Sequence, residues 1–178
     1  MPLPRAILFD LDDTIVDTGD VVAAWLGVIE SFSNSLEGLD AATVAARVRA
    51  TADAFWEDPE RHRVGRQQLA ASRRLIVAAT FRELAREGGP ALSAQTSDAI
   101  ADRLTEYREE QTRLFPGARE TLEALCSSGV RLGLVTNGAS GPQRAKIERF
   151  DLARHFNHVQ IEGEVGFGKP EERAYRHA

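Results

Sequence analysis

AILFDLDDTIVDT, residues 6–18, is the stretch on which the reading of this chain turns. Ala6, Ile7, Leu8 and Phe9 run without polar alternation into Asp10, Asp12 and Asp13. A short apolar run of this kind reads as a strand covered on both faces. Carboxylates at the C-terminal end of such a strand lie close together and partly desolvated. Their mutual repulsion calls for a cation or a proton. An arrangement that costly asks for a function.

Working outward, the character changes after Gly19. Residues 19–112 are rich in Ala, Arg, Glu and Leu and show no strand pattern. Val21, Val22, Trp25, Leu26, Val28, Ile29 and Phe32 recur at helical spacing. A second helix follows with Asp40 as its N-cap, and a third, long and amphipathic, runs from Gly65 to Gly88-Gly89. A fourth opens after Ser93. RHRVGR, residues 61–66, reads as a solvated helix start or loop. From Pro116-Gly117 onward the pattern is helix, strand, helix, strand. VRLGLVTNG is a strand ending at Thr136-Asn137-Gly138, and HVQIEG is another. EVGFGKP reads as a glycine-rich loop, with Pro170 opening a last helix. Alternation at this spacing predicts a Rossmann-like parallel-sheet α/β core over 1–18 and 113–178, with a helical bundle inserted over 19–112.

Bulk properties narrow the partners. The 178 residues carry a net charge of −5 and no Lys/Arg run, which argues against nucleic acid. No apolar stretch approaches the ~20 residues of a membrane span, and the N-terminal residues lack a signal-peptide core. The single cysteine, Cys126, excludes an internal disulfide and a cysteine metal cluster, and reads as a small buried residue. The simplest location is a reducing cytoplasm. His62, His155, His158 and His177 show no metal-ligand spacing. Oligomeric state leaves no sequence signal.

In open parallel sheets, ligands bind beyond the C-terminal ends of the strands. Asp10 and Asp12 follow the first strand, Thr136 and Asn137 the second, and the loop after the third leads to Lys169. The acids can hold Mg²⁺, a hard cation that prefers oxygen ligands. The hydroxyl and the ammonium can bind phosphoryl oxygens, and a carboxylate can attack phosphorus to form an aspartyl-phosphate.

FDLDDTIVDT, LVTNG and GEVGFGKP resemble, in order and context, the first three motifs of the haloacid dehalogenase-like hydrolase superfamily. The layout resembles its subfamily I, with a helical C1-type cap inserted directly after the first motif. The resemblance implies that Asp10 is the nucleophile and a Mg²⁺ ligand. It implies that Asp12 is the general acid/base, with its backbone carbonyl on the metal. Thr136 would hydrogen-bond the phosphoryl group, and Lys169 would pair with Asp10 and that group. Asn137 and Gly138 would shape the turn and lend N–H donors, and Thr14 would support the first loop. The dehalogenases of the superfamily lack the second carboxylate, so Asp12 favours phosphoryl transfer over carbon–halogen chemistry. The implied function is Mg²⁺-dependent hydrolysis of a small phosphorylated metabolite, with the cap selecting it.

The family's fourth motif, one or two acids completing the metal site, would lie downstream of Lys169. Only Glu171 and Glu172 follow, too near the lysine for that role, so the chain reads as a partial copy of a longer protein. A phosphomutase, or an inactive phosphate-binding relative, stays open beside the phosphatase. A signalling receiver module would need a further strand with its own acceptor Asp before Thr136, and residues 19–112 offer none. Asp13 reads as the cap of a helix starting near Ile15.

Overall fold

The computed structural model describes residues 3–36 and 38–178; Met1 and Pro2, the start of the N-terminal reading, lie outside it, as does Glu37. The chain forms two compact units. One comprises Met1–Thr18 and Thr112–Ala178, the other Gly19–Gln111. The second junction thus falls one residue before the sequence boundary.

The first unit is built on a parallel sheet. Strands β1 (Ala6–Phe9), β4 (Arg131–Thr136) and β5 (His158–Ile161) lie in the order β1-β4-β5. Their register sets Phe9 against Leu134 and Thr136 against Ile161, so the strands end together. Helices α6 (Ala118–Ser127) and α7 (Ser140–Arg149) flank β4 in the chain. The apolar core gathers Leu11, Ile15, Val16, Leu122, Leu132, Leu134, Ile147 and Ile161. A two-residue ribbon, β2 (Val16–Asp17) antiparallel to β3 (Arg113–Leu114), joins the two chain segments of this unit, a pairing the sequence did not announce.

Several expectations are corrected here. β1 is not covered on both faces. Ile7 and Phe9 pack on the core, whereas Leu8 is 44% exposed and Ala6 is exposed too. The Leu8 side chain lies over Gly133, where a Cβ would sit 2.6 Å from Leu8 Cδ2. Cys126 is exposed rather than buried, its thiol 3.3 Å from the carbonyl of His155. No helix starts near Ile15. Instead the N–H groups of Ile15 and Val16 both donate to the Leu11 carbonyl, and Asp13 turns the chain at φ 56°. Part of the glycine-rich loop is one helical turn, α8 (Glu162–Val165), and the last helix, α9, spans Glu172–His177 rather than starting at Pro170.

In the second unit, α1 (Val21–Ser31), α2 (Ala41–Glu57), α4 (Leu69–Arg86) and α5 (Ala94–Gln111) share one apolar core, with Ile29, Val44, Val48, Val77 and Ile100 fully enclosed. Side-chain caps satisfy the first-turn N–H groups that a helix leaves orphaned. Asp20 accepts from Val22 N at 2.7 Å, Asp40 from Thr43 N at 2.8 Å, and Ser93 Oγ from Thr96 N at 3.0 Å. The RHRVGR stretch lies mostly in a helix of its own, α3 (Pro59–Gly65), with Asp58 as cap and Pro59 in the first turn. The long third helix therefore begins at Leu69, not Gly65. At Gly65 a Cβ would meet Ser72 Oγ at 2.8 Å and the Trp56 ring at 2.9 Å, so the chain passes too closely there for any side chain. No helix of the described residues is long and apolar enough to cross a membrane.

Candidate active site

The expected polar residues collect at the C-terminal ends of β1, β4 and β5, within the first unit. Asp10 directly follows β1, and both of its oxygens are engaged. Leu11 N–H donates to Oδ1 at 2.8 Å, and Lys169 Nζ lies 2.6 Å from Oδ2. The Asp10 side chain remains 44% exposed, so it is held in place yet open to an incoming molecule.

Lys169 is placed through its backbone. The Asn137 side chain forms a two-way bridge to it: Nδ2 donates to the Lys169 carbonyl at 2.8 Å, and Lys169 N–H donates to Oδ1 at 2.8 Å. Gly168 permits this approach. A Cβ there would stand 2.5 Å from Asn137 Oδ1 and 2.6 Å from Glu162 Cδ. The buried Glu162 accepts the Gly138 N–H at 2.9 Å and sets the turn after β4. Gly138, expected to lend its N–H to a ligand, thus donates it to Glu162. The Asn137 side-chain amide is occupied by Lys169. Thr14 is exposed, and it is Thr18 whose hydroxyl donates to Asp13, at 3.2 Å.

Asp12 meets two residues of α7 that the sequence reading missed. Lys146 Nζ is 2.6 Å from Oδ1, and Gln143 Nε2 donates to Oδ2 at 3.0 Å. The same Gln143 nitrogen reaches Thr136 Oγ1 at 2.6 Å and the Asn137 carbonyl at 2.9 Å. Thr136 and Gln143 are both buried. A signal for them does exist. The α7 sequence SGPQRAKIER offers only Pro142, Ala145 and Ile147 as apolar side chains. A helix that packs on a sheet with so few must bury polar ones, and buried polar groups need partners.

The repulsion between Asp10 and Asp12 is relieved by two ammonium groups, one on each carboxylate. Among the described residues no group of three His, Cys, Asp or Glu side chains gathers to hold a metal. The donors on hand at these strand ends are the Asp10 and Asp12 carboxylates, all hard oxygens. That set suits Mg²⁺, which commonly takes one or two carboxylates and completes its shell with water and substrate phosphate.

Comparison with known proteins adds an independent line. A family model described as haloacid dehalogenase-like hydrolase matches residues 4–178. The chain is 32% identical to a phosphoserine phosphatase of Thermus thermophilus, over 98% of this chain and 74% of that protein. It is 27% identical to a phosphoglycolate phosphatase of Agrobacterium fabrum, over 97% of this chain and 64% of that one. Among solved structures it superposes on YfnB of Bacillus subtilis, described as a HAD-hydrolase bound to magnesium, with a TM-score of 0.63 at 24% identity. That match covers 97% of this chain and 69% of YfnB, and it bears on the fold alone.

Proposed function

The chain belongs to the haloacid dehalogenase-like hydrolase family, and from that premise we propose that it is a Mg²⁺-dependent phosphatase acting on a small phosphate monoester through an aspartyl-phosphate on Asp10. The observation that carries the reading is the Asp10 carboxylate, oriented by Leu11 N–H and paired with Lys169 while still open to solvent.

In the first step an Asp10 oxygen attacks phosphorus, a P–O bond forms to the carboxylate, and the ester P–O bond breaks. Asp12 gives its proton to the departing alkoxide. In the second step Asp12 takes a proton from water, whose oxygen attacks phosphorus, and Asp10 is released as a carboxylate with free phosphate. Lys169 and the Thr136 hydroxyl hold the phosphoryl oxygens while charge shifts among them. Mg²⁺, held by the Asp10 carboxylate and the Asp12 carbonyl, would supply further neutralisation of those oxygens. The names of the two phosphatase relatives agree with this substrate class. We assign the helical unit Gly19–Gln111 the part of the substrate-selecting cap, and a reducing cytoplasm suits the lone Cys126.

The test is phosphate release from a panel of small monoesters with and without Mg²⁺, for the wild type and Asp10→Asn. The expected result is metal-dependent release that falls at least about a thousandfold in Asp10→Asn. Undiminished release by that variant removes the nucleophile role. Isomerisation of a sugar phosphate without release replaces the phosphatase by a phosphomutase.

A further inference from the structure

We propose that Gln143 is a positioning residue that aims the Thr136 hydroxyl at the phosphoryl group; the inference rests on the phosphate-site reading above. The argument is a count of hydrogens. The Gln143 side-chain nitrogen carries two, and three acceptors surround it: Thr136 Oγ1 at 2.6 Å, the Asn137 carbonyl at 2.9 Å and Asp12 Oδ2 at 3.0 Å. The shortest of the three is the contact to Thr136. A hydroxyl that accepts there keeps its own single hydrogen for another direction. The acceptor the protein itself offers is the Asn137 carbonyl at 3.4 Å, beyond the usual 2.5–3.0 Å of an O–H···O bond. The Thr136 hydrogen is therefore left for an oxygen arriving from outside, at the strand end where Asp10 and Lys169 meet.

Burial makes this arrangement specific. Thr136 and Gln143 are each at least 97% buried, so few partners besides Gln143 surround the hydroxyl. The same amide also donates to Asp12 Oδ2, which ties Thr136 and Asp12 to one side chain. With an apolar side chain at position 143, the hydroxyl loses its donor. The result is a less well aimed hydroxyl, not a missing one.

The experiment is a double-mutant cycle on binding of inorganic phosphate, measured by calorimetry in the presence of Mg²⁺. It uses Gln143→Met, which keeps length and loses the amide, alone and combined with Thr136→Val. Melting by circular dichroism checks the fold, and Gln143→Asn serves in its place if the methionine variant does not fold. The expected result is a roughly three- to tenfold loss of phosphate affinity for Gln143→Met in the Thr136 background. In the Thr136→Val background the same substitution is expected to cost less than about twofold, because there is no hydroxyl left to aim. Equal losses in both backgrounds assign Gln143 a packing role and overturn the inference, as does no loss in either. A wild type that binds phosphate but shows no coupling overturns this inference alone. A wild type that neither binds phosphate nor releases it from monoesters overturns the phosphatase reading, and this one with it.

Discussion

The two units treat their polar side chains in opposite ways. In the helical unit the enclosed core is largely apolar, and charges pair at the surface over short spans, as Arg49 does with Asp53 or Arg74 with Asp102 of the neighbouring helix. Ser72, Thr80 and Ser97 are small polar side chains buried there, and the half-buried Arg73 donates to Thr105 Oγ1 at 2.8 Å. Burial and the nearby Arg108 guanidinium push its pKa down to about 10. In the α/β unit the buried polar groups converge. Thr136, Gln143 and Glu162 lie inside, and together with Asp12, Lys146, Asn137 and Lys169 they link segments distant in the chain. One unit encloses mostly apolar side chains, and the other encloses a connected polar network beside the candidate site.

That contrast can be broken by substitution. Ile100 is fully enclosed in the helical core. Ile100→Ala is expected to cost about 2–5 kcal/mol in denaturant unfolding, since it removes buried methyl groups and leaves a cavity. Phosphate affinity of the folded protein is expected to hold within twofold. Gly168→Ala should do the reverse. Its Cβ collides with Asn137 Oδ1 and Glu162, so the bridge that carries Lys169 must shift. Phosphate release is expected to drop at least tenfold, with a stability loss of about 1–3 kcal/mol. If Ile100→Ala impairs phosphate binding, or Gly168→Ala affects stability alone, the division of roles fails.

The same contrast explains which features can be read from sequence. Caps such as Asp40 and Ser93 are local, since acceptor and donor lie three residues apart, and pattern suffices to find them. The strand ends that bear Asp10, Thr136 and Lys169 stand out because each follows an apolar run or a glycine break. Gln143 and Lys146 are different. Their shared partner Asp12 lies more than a hundred residues away, and nothing within α7 itself names it. The exposure of Leu8 was illegible for a related reason. An apolar run reveals the affinity of a strand for cover, not how many of its faces receive it. Gly65 marks a helix end because of Trp56 and Ser72, which approach it in space.

A titration sharpens the comparison at smaller amplitude. His155, in the α/β unit, is buried, and burial followed by the neighbouring Arg154 lowers its pKa from the ordinary 6.5. Arg154 Nε lies 3.2 Å from His155 Nε2, a contact that suits a neutral imidazole accepting there. The unfolded chain then binds the proton more readily than the folded one. The contribution is fully present above the unfolded value of about 6.5 and is lost as pH falls from there toward the folded pKa. Unfolding midpoints measured from pH 7.5 to 5.5 should decline, and His155→Gln should flatten that decline. A slope unchanged in the variant would mean other groups carry the dependence.

The smallest effect is expected in the helical unit. Arg49 and Asp53 sit one helical turn apart on α2, with a guanidinium–carboxylate contact of 2.7 Å, and both side chains are more than a third exposed. Water screens such a pair, and holding two long side chains in one geometry offsets much of the attraction. Arg49→Ala is therefore expected to change unfolding free energy by no more than about 0.5 kcal/mol, and raising the salt concentration should shrink even that. A loss of several times that size would mean that this surface pairing bears weight comparable to the enclosed core. The helical unit would then no longer be one in which stability comes from apolar burial, and Ile100→Ala would lose its standing as the representative probe of that unit.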